Sequence, residues 1–161
     1  YFDNKEEIFT AVMEAAQDDM MHPGLPRVEE DPANIAEVFE ASNLAYLQAY
    51  QRNAKLMLLL EQVATIDPVF RQLRVARSSA FAERNAVRIK QLQDLGFADP
   101  SLDPPTTARA LSSMISRLAY FALALEQDWD LEALAKTTAQ LWVNGLGIPA
   151  DGSPRKDASK T

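Results

Sequence analysis

Six basic residues, Arg71, Arg74, Arg77, Arg84, Arg88 and Lys90, fall within twenty positions that hold a single acid, Glu83, in a chain of formal net charge −7. At helical spacing Arg74, Arg77, Phe81, Arg84 and Arg88 lie roughly along one face. That face reads either as a solvated arginine surface or as a cationic lip for a phosphate or carboxylate, which arginine grips in bidentate fashion. Earlier in the chain, Phe39, Asn43, Tyr46, Leu47 and Tyr50 recur at spacings of three and four. Amide and phenol groups among large apolar side chains can orient a ligand in a cavity, and equally can pack in a core with their polar tips in solvent. Glu61 follows KLMLLL, with Met57 and Leu60 one turn before it. A carboxylate there is a ligand contact, an arginine partner or a surface group.

Catalytic chemistry has little to draw on. His22 is the single histidine, it precedes Pro23 in a turn-rich stretch, and there are no cysteines. Ser112, Ser113 and Ser116 have no base at a readable spacing, and a serine nucleophile needs one. The acidic run EQDWDLE (126–132) could attract a cation, but reads more simply as a helix–helix turn with Asp130 as cap. The inventory points away from an enzyme and calls for no cofactor or metal.

These residues must be positioned by helices. The chain has 161 residues, 47% apolar and 24% charged, with five glycines and nine prolines set at apparent boundaries. That composition suits one all-α globular domain. Asp31-Pro32, Asp67-Pro68 and Asp103-Pro104 each place a capping aspartate before a proline at the first helical position. They are spaced by 36 residues, near a helical-repeat period. The segments that follow them share no residue pattern, so they read as one start device used three times. Six helices result: Asn4 to Met21 behind an Asp3 cap, Asp31 to about Tyr50, Asn53 to before Asp67, Asp67 to Leu95 with Gly96 as stop, Asp103 to about Gln127, and one capped by Asp130 and ended by Gly145 and Gly147. The first presents Ile8, Phe9, Val12, Met13 and Ala16 on one face. Residues 1–21 form a connecting helix, 22–30 a loop opened by HPGLP, 31–148 the main domain, and 149–161 a polar tail without a fixed fold.

The helix from Asp103 is apolar on nearly every side between Leu111 and Leu125, and such a helix must be covered all round. A six-helix domain could bury it centrally, but the preferred reading is a two-fold dimer that supplies the cover, with the last helix as companion. Its expected face comprises Met114, Ile115, Leu118, Phe121, Ala122, Leu125, Leu134, Thr138, Leu141 and Trp142. The longest apolar run, Leu118 to Leu125, is too short to span a bilayer, so no membrane role is expected. The acidic balance disfavours nucleic-acid binding by this portion.

The opening segment YFDNKEEIF resembles the junction in the tetracycline-repressor (TetR) family that ends the DNA-recognition helix and begins the fourth helix. That pattern is an aromatic or histidine, Phe, two turn residues, Lys, an acid, a variable position, an aliphatic residue and Leu or Phe. Here it is carried by Tyr1, Phe2, Asp3, Asn4, Lys5, Glu6, Glu7, Ile8 and Phe9, with Asn4 where serine or threonine is commoner. LSSMISRLAYFALAL (111–125) and the closing LWVNGLG (141–147) resemble the family's last two helices.

The resemblance implies a cytoplasmic bacterial regulator, usually a repressor, with a helix-turn-helix preceding Tyr1. Tyr1 and Lys5 would contact operator phosphates. The last two helices would form a four-helix bundle across a homodimer. A small effector would lie among Phe39, Asn43, Tyr46, Leu47, Tyr50, Met57, Leu60, Glu61, Arg77, Phe81, Arg84, Arg117 and Tyr120. It would be mostly apolar; an acyl-coenzyme A or fatty acid fits if the arginines hold an anionic head, and a neutral aromatic or steroid-like compound if they do not. The competing expectations are a stand-alone all-α binding or carrier protein and a helical interaction scaffold.

Overall fold

Side-chain caps fix the starts of four of the six helices among the described residues. The structure, a computed structural model, describes residues 4–21 and 34–155. Tyr1, Phe2, the Asp3 cap, His22, the 22–30 loop, the Asp31-Pro32 start and residues 156–161 lie outside the described residues. Within them the chain is all-α: α1 (Lys5–Met21), α2 (Ile35–Arg52), α3 (Ala54–Val63), α4 (Pro68–Asp94), α5 (Pro104–Ala119) and α6 (Leu131–Gly145). No helix among the described residues is long and apolar enough to cross a membrane.

Asn4 Oδ1 accepts from the Glu7 N–H at 2.9 Å and caps α1. Asp67 accepts from Val69 N–H at 2.8 Å, and Asp103 from Thr106 N–H at 3.0 Å, each ahead of a proline at the first turn. Asp130 caps α6 by accepting from the Glu132 and Ala133 N–H groups. On α1 the buried residues are Met13, Ala16 and Met20, while Phe9 meets Phe70 edge-on at 4.7 Å. Ile8 and Val12, expected on that face, are 47% and 40% exposed. The inward stripe runs from half-buried Phe9 through Met13 and Ala16 to Met20, keeping the 9–13–16 part of the expected face and losing its Ile8–Val12 edge.

Two helix pairs dominate the packing: α2 along α6, and α4 along α5. Asn43 and Thr138 are buried in the first pair, where Asn43 Nδ2 donates to Thr138 Oγ1 at 3.0 Å. Thr138 Oγ1 also lies 2.8 Å from the Leu134 carbonyl, the back-bond a helical threonine can donate. Trp142 packs edge-on against Phe39 at 5.4 Å; its buried indole N–H has no partner among the described residues. α5 and α6 meet only slightly within the chain.

The helix expected from Asp103 to about Gln127 changes character before its end. Regular winding stops at Ala119, and Tyr120–Ala124 forms a π-helical turn. Leu125 N–H reaches the Tyr120 carbonyl at 3.0 Å, and Gln127 N–H the Ala122 carbonyl at 3.2 Å. The wider turn carries both Ala122 and Ala124 into the interior and packs against α3. It also resolves the all-round apolar pattern, because one continuous period does not describe both halves. Glu126 and Asp128 then adopt left-handed backbone angles, φ 54° and 53°, before α6 begins.

At the other end, α4 and α6 finish alike. Gly96 (φ 79°) and Gly147 (φ 66°) take left-handed conformations, with Phe97 N–H on the Leu92 carbonyl at 2.8 Å and Ile148 N–H on the Val143 carbonyl at 3.1 Å. Asp99 N–H donates to the Leu146 carbonyl at 2.8 Å. Residues 149–155, expected within the unstructured tail, instead turn back onto these ends. Arg155 donates from its backbone N–H to the Gly96 carbonyl at 2.8 Å and from Nη1 to the Gly147 carbonyl at 2.6 Å. Its Nη2 stands 3.5 Å from Asp99. A Cβ at Gly147 would run into Arg155 Nη1 and push the guanidinium aside, while the positive φ of the turn is what demands glycine there.

Candidate functional site: an arginine-lined cavity

A cavity of about 470 Å³ opens between the C-terminal part of α1, the second half of α2, the first half of α4, and α5 with its π turn. Each helix contributes a distinct chemistry. From α1 come Gln17, Met20 and Met21; from α2, Tyr46 and Tyr50. Phe81 of α4 stacks on Tyr46 with ring centres 4.7 Å apart and an interplanar angle of 21°. α4 adds Arg74, Arg77, Ser78 and Ser79 as well, and α5 adds Arg109, Ser112, Ser113, Ser116 and Arg117, followed by Tyr120.

The arginines of α4 have diverged in role. Arg71 donates to the carbonyls of Ala64 and Thr65, where it ties down the α3–α4 turn. Arg74 Nε donates to Glu61 Oε1 at 2.8 Å, so Glu61 is an arginine partner. Arg77 is 8% exposed; its Nη2 lies 3.9 Å from the same carboxylate oxygen, and its Nε has no hydrogen-bond partner among the described residues. Arg84 turns outward: its guanidinium covers Phe81 at 5.1 Å, and Nη1 donates to the Met21 carbonyl at 2.5 Å. A cation on the last carbonyl of α1 also suits that helix end electrostatically.

The α5 side is arranged by ring contacts and one amide. Arg117 lies 4.9 Å from the Tyr120 ring centre and 4.8 Å from that of Phe121. Asn85 Nδ2 donates to Ser112 Oγ at 2.9 Å, joining α4 to α5 beside the cavity. Burial holds the Tyr50 phenol above its ordinary pKa, outweighing the opposing pull of the nearby Arg77 guanidinium. Tyr50 therefore stays protonated at neutral pH. On the outer side, Asp19 receives Arg52 Nε at 3.1 Å and Nη2 at 2.8 Å, and Asn53 Nδ2 at 2.9 Å. This fork fastens the end of α1 to the α2–α3 junction.

Of the residues expected at a ligand, Tyr46, Tyr50, Glu61, Arg77, Phe81, Arg117 and Tyr120 line the cavity. Phe39, Asn43 and Leu47 instead face inward against the core, Phe39 and Asn43 directly against α6. Met57 and Leu60 are 1% exposed and belong to the core, and Arg84 stands outside. Arg74, expected on the cationic face but not among the pocket residues, lines the cavity as well, and Arg109 and the serines are cavity residues that the sequence did not suggest. The missed signal is a polar ridge on α5 at helical spacing: Arg109, Ser112, Ser113, Ser116, Arg117.

Of the expected dimer face, Ile115, Ala122, Thr138 and Trp142 are buried within the single chain, whereas Leu125 and Leu141 are 39% and 48% exposed. Met114, Leu118, Phe121 and Leu134 are half-buried. Lys5 is exposed in the first turn of α1, and Tyr1 lies outside the described residues. No protein-family model matches this chain, and no curated protein matches it either.

Proposed function

We propose that the chain is the effector-binding and dimerising part of a ligand-responsive transcriptional regulator resembling the tetracycline-repressor family. The observation that carries this reading is the shared role of α1. The helix that opens with the junction motif supplies Gln17, Met20 and Met21 to the cavity wall at its other end. An effector in the cavity therefore presses directly on the element that would lead to an upstream DNA-binding head. Arg84 on the Met21 carbonyl and Arg52 on Asp19 link that end of α1 to α4 and α2, so motion in either helix reaches it.

Two copies would pair through the exposed and half-buried positions of α5 and α6, chiefly Leu118, Phe121, Leu125, Leu134 and Leu141. The role is binding rather than catalytic, and operator DNA would be held by the preceding region, with Lys5 at its border. The test is operator affinity of the protein carrying its upstream region, measured by fluorescence anisotropy with and without a bound effector. A change of roughly 5- to 150-fold is expected for a coupling of this type. Equal affinity at saturation with a compound that occupies the cavity would refute the regulatory reading and leave a carrier.

A further inference from the structure

We infer that the cavity takes an amphipathic organic anion, with its oxyanion head seated on Arg77 and its apolar body against Tyr46, Phe81 and Met20. The inference rests on the reading of this cavity as an effector site and names the class of effector. Its starting point is an incomplete pair. Glu61 is engaged by Arg74 at 2.8 Å and stands 3.9 Å from Arg77, so one carboxylate serves two guanidinium groups. Arg77 is nevertheless nine-tenths buried, and its Nε has no acceptor among the described residues. A buried cation without full pairing is costly, and a fixed guanidinium offers donors in a planar fork that matches a carboxylate or phosphate.

The surroundings select the same ligand. The cavity wall holds Arg74, Arg77, Arg109 and Arg117 against one carboxylate, Glu61. Serine hydroxyls flank the arginines on α4 and α5 and can donate to further oxygens of the head. The stacked Tyr46–Phe81 pair and the α1 methionines add an apolar surface to the same lining. A neutral apolar compound would leave the Arg77 Nε desolvated and without an acceptor; a small inorganic anion would leave the aromatic wall bare. A volume of about 470 Å³ lies within the range of small-molecule sites.

The test is calorimetric titration of the chain with decanoate, decyl phosphate and decanol, repeated on Arg77→Met and Arg77→Lys. At least one of the two anions is expected to bind tenfold or more tighter than decanol, and the stronger one identifies the head group. Arg77→Met should lose at least tenfold for that anion and less than twofold for decanol, with Arg77→Lys in between. Thermal melts of both variants should match the parent within a few degrees. Decanol binding as tightly as both anions, or an equal loss for all probes in Arg77→Met, overturns the anion seat. Binding of decanol alone would still leave an effector site, so the proposed function survives that result. Failure of all three probes to bind overturns the seat and removes the support that the cavity gives to the regulatory reading.

Discussion

Two buried polar groups in this fold have opposite circumstances. Between α2 and α6, the Asn43 amide donates to Thr138 at 3.0 Å in a closed apolar seam. Between α4 and α5, the Arg77 guanidinium is buried to a similar degree, yet it keeps an unpartnered Nε and shares a carboxylate that Arg74 holds more closely. A closed pair within a seam contributes to holding the fold together. A charged group left incomplete beside an open volume costs stability, and a ligand can supply what it lacks. The difference separates a closed polar pair from one with a donor still to be satisfied.

The seam breaks most severely at Trp142. Trp142→Ala should cost about 3–5 kcal/mol, a fall in Tm of roughly 6–20 °C, because the indole fills the interior against Phe39. A variant with parental Tm but a halved mass in sedimentation would instead return Trp142 to a dimer face. Next in size is Thr138→Val, which leaves the Asn43 amide buried without its acceptor and should cost about 1–3 kcal/mol by urea denaturation. Asn43→Leu combined with Thr138→Val should recover much of that loss, since both partners are then apolar. If the double variant is as weak as the single one, the pair is not the seam's determinant.

Arg77→Met inverts the expectation. Stability should stay within about 1 kcal/mol of the parent or rise, because an incompletely paired charge leaves and Glu61 keeps Arg74. A loss as large as that of Thr138→Val would make the two regions alike. The smallest effect concerns pH. Hydrogen bonding from Arg52 holds the Asp19 carboxyl below its ordinary value. Its contribution is therefore present above the unfolded carboxylate pKa and is lost as pH falls through the lower folded value. The protection factors for amide exchange in the last turn of α1 should fall under those acidic conditions, modestly, because the pair is largely solvent-exposed. Asp19→Asn should abolish that dependence.

Local rules made the helix starts legible. Asp67, Asp103 and Asp130 each accept from backbone N–H groups within their own first turn, which needs no tertiary information. The Gly96 stop is local for the same reason. The π turn was hidden because its i+5 bonds depend on packing around Ala122 and Ala124. On α2, the apolar stripe was readable, but its division was not. Where α6 crosses decides that Asn43 meets Thr138 while Tyr46 faces the cavity. Arg77 and Arg84 sit two turns apart on nearly one face of α4 and still part company. The end of α1 stands beside Arg84 and gives it the Met21 carbonyl, whereas Arg77 looks into open volume.

The clasp around Arg155 gives α4 a fulcrum. Gly96 and Gly147 are tied to the same arginine, so any tilt of α4 that preserves these bonds must turn about that end. Arg77 lies about 27 Å along the helix from there, at 1.5 Å per residue. A rotation of only about 2° then carries its guanidinium through roughly 1 Å, the distance that separates a loose ion pair from a hydrogen bond. The long arm of the lever ends where Glu61 meets Arg74.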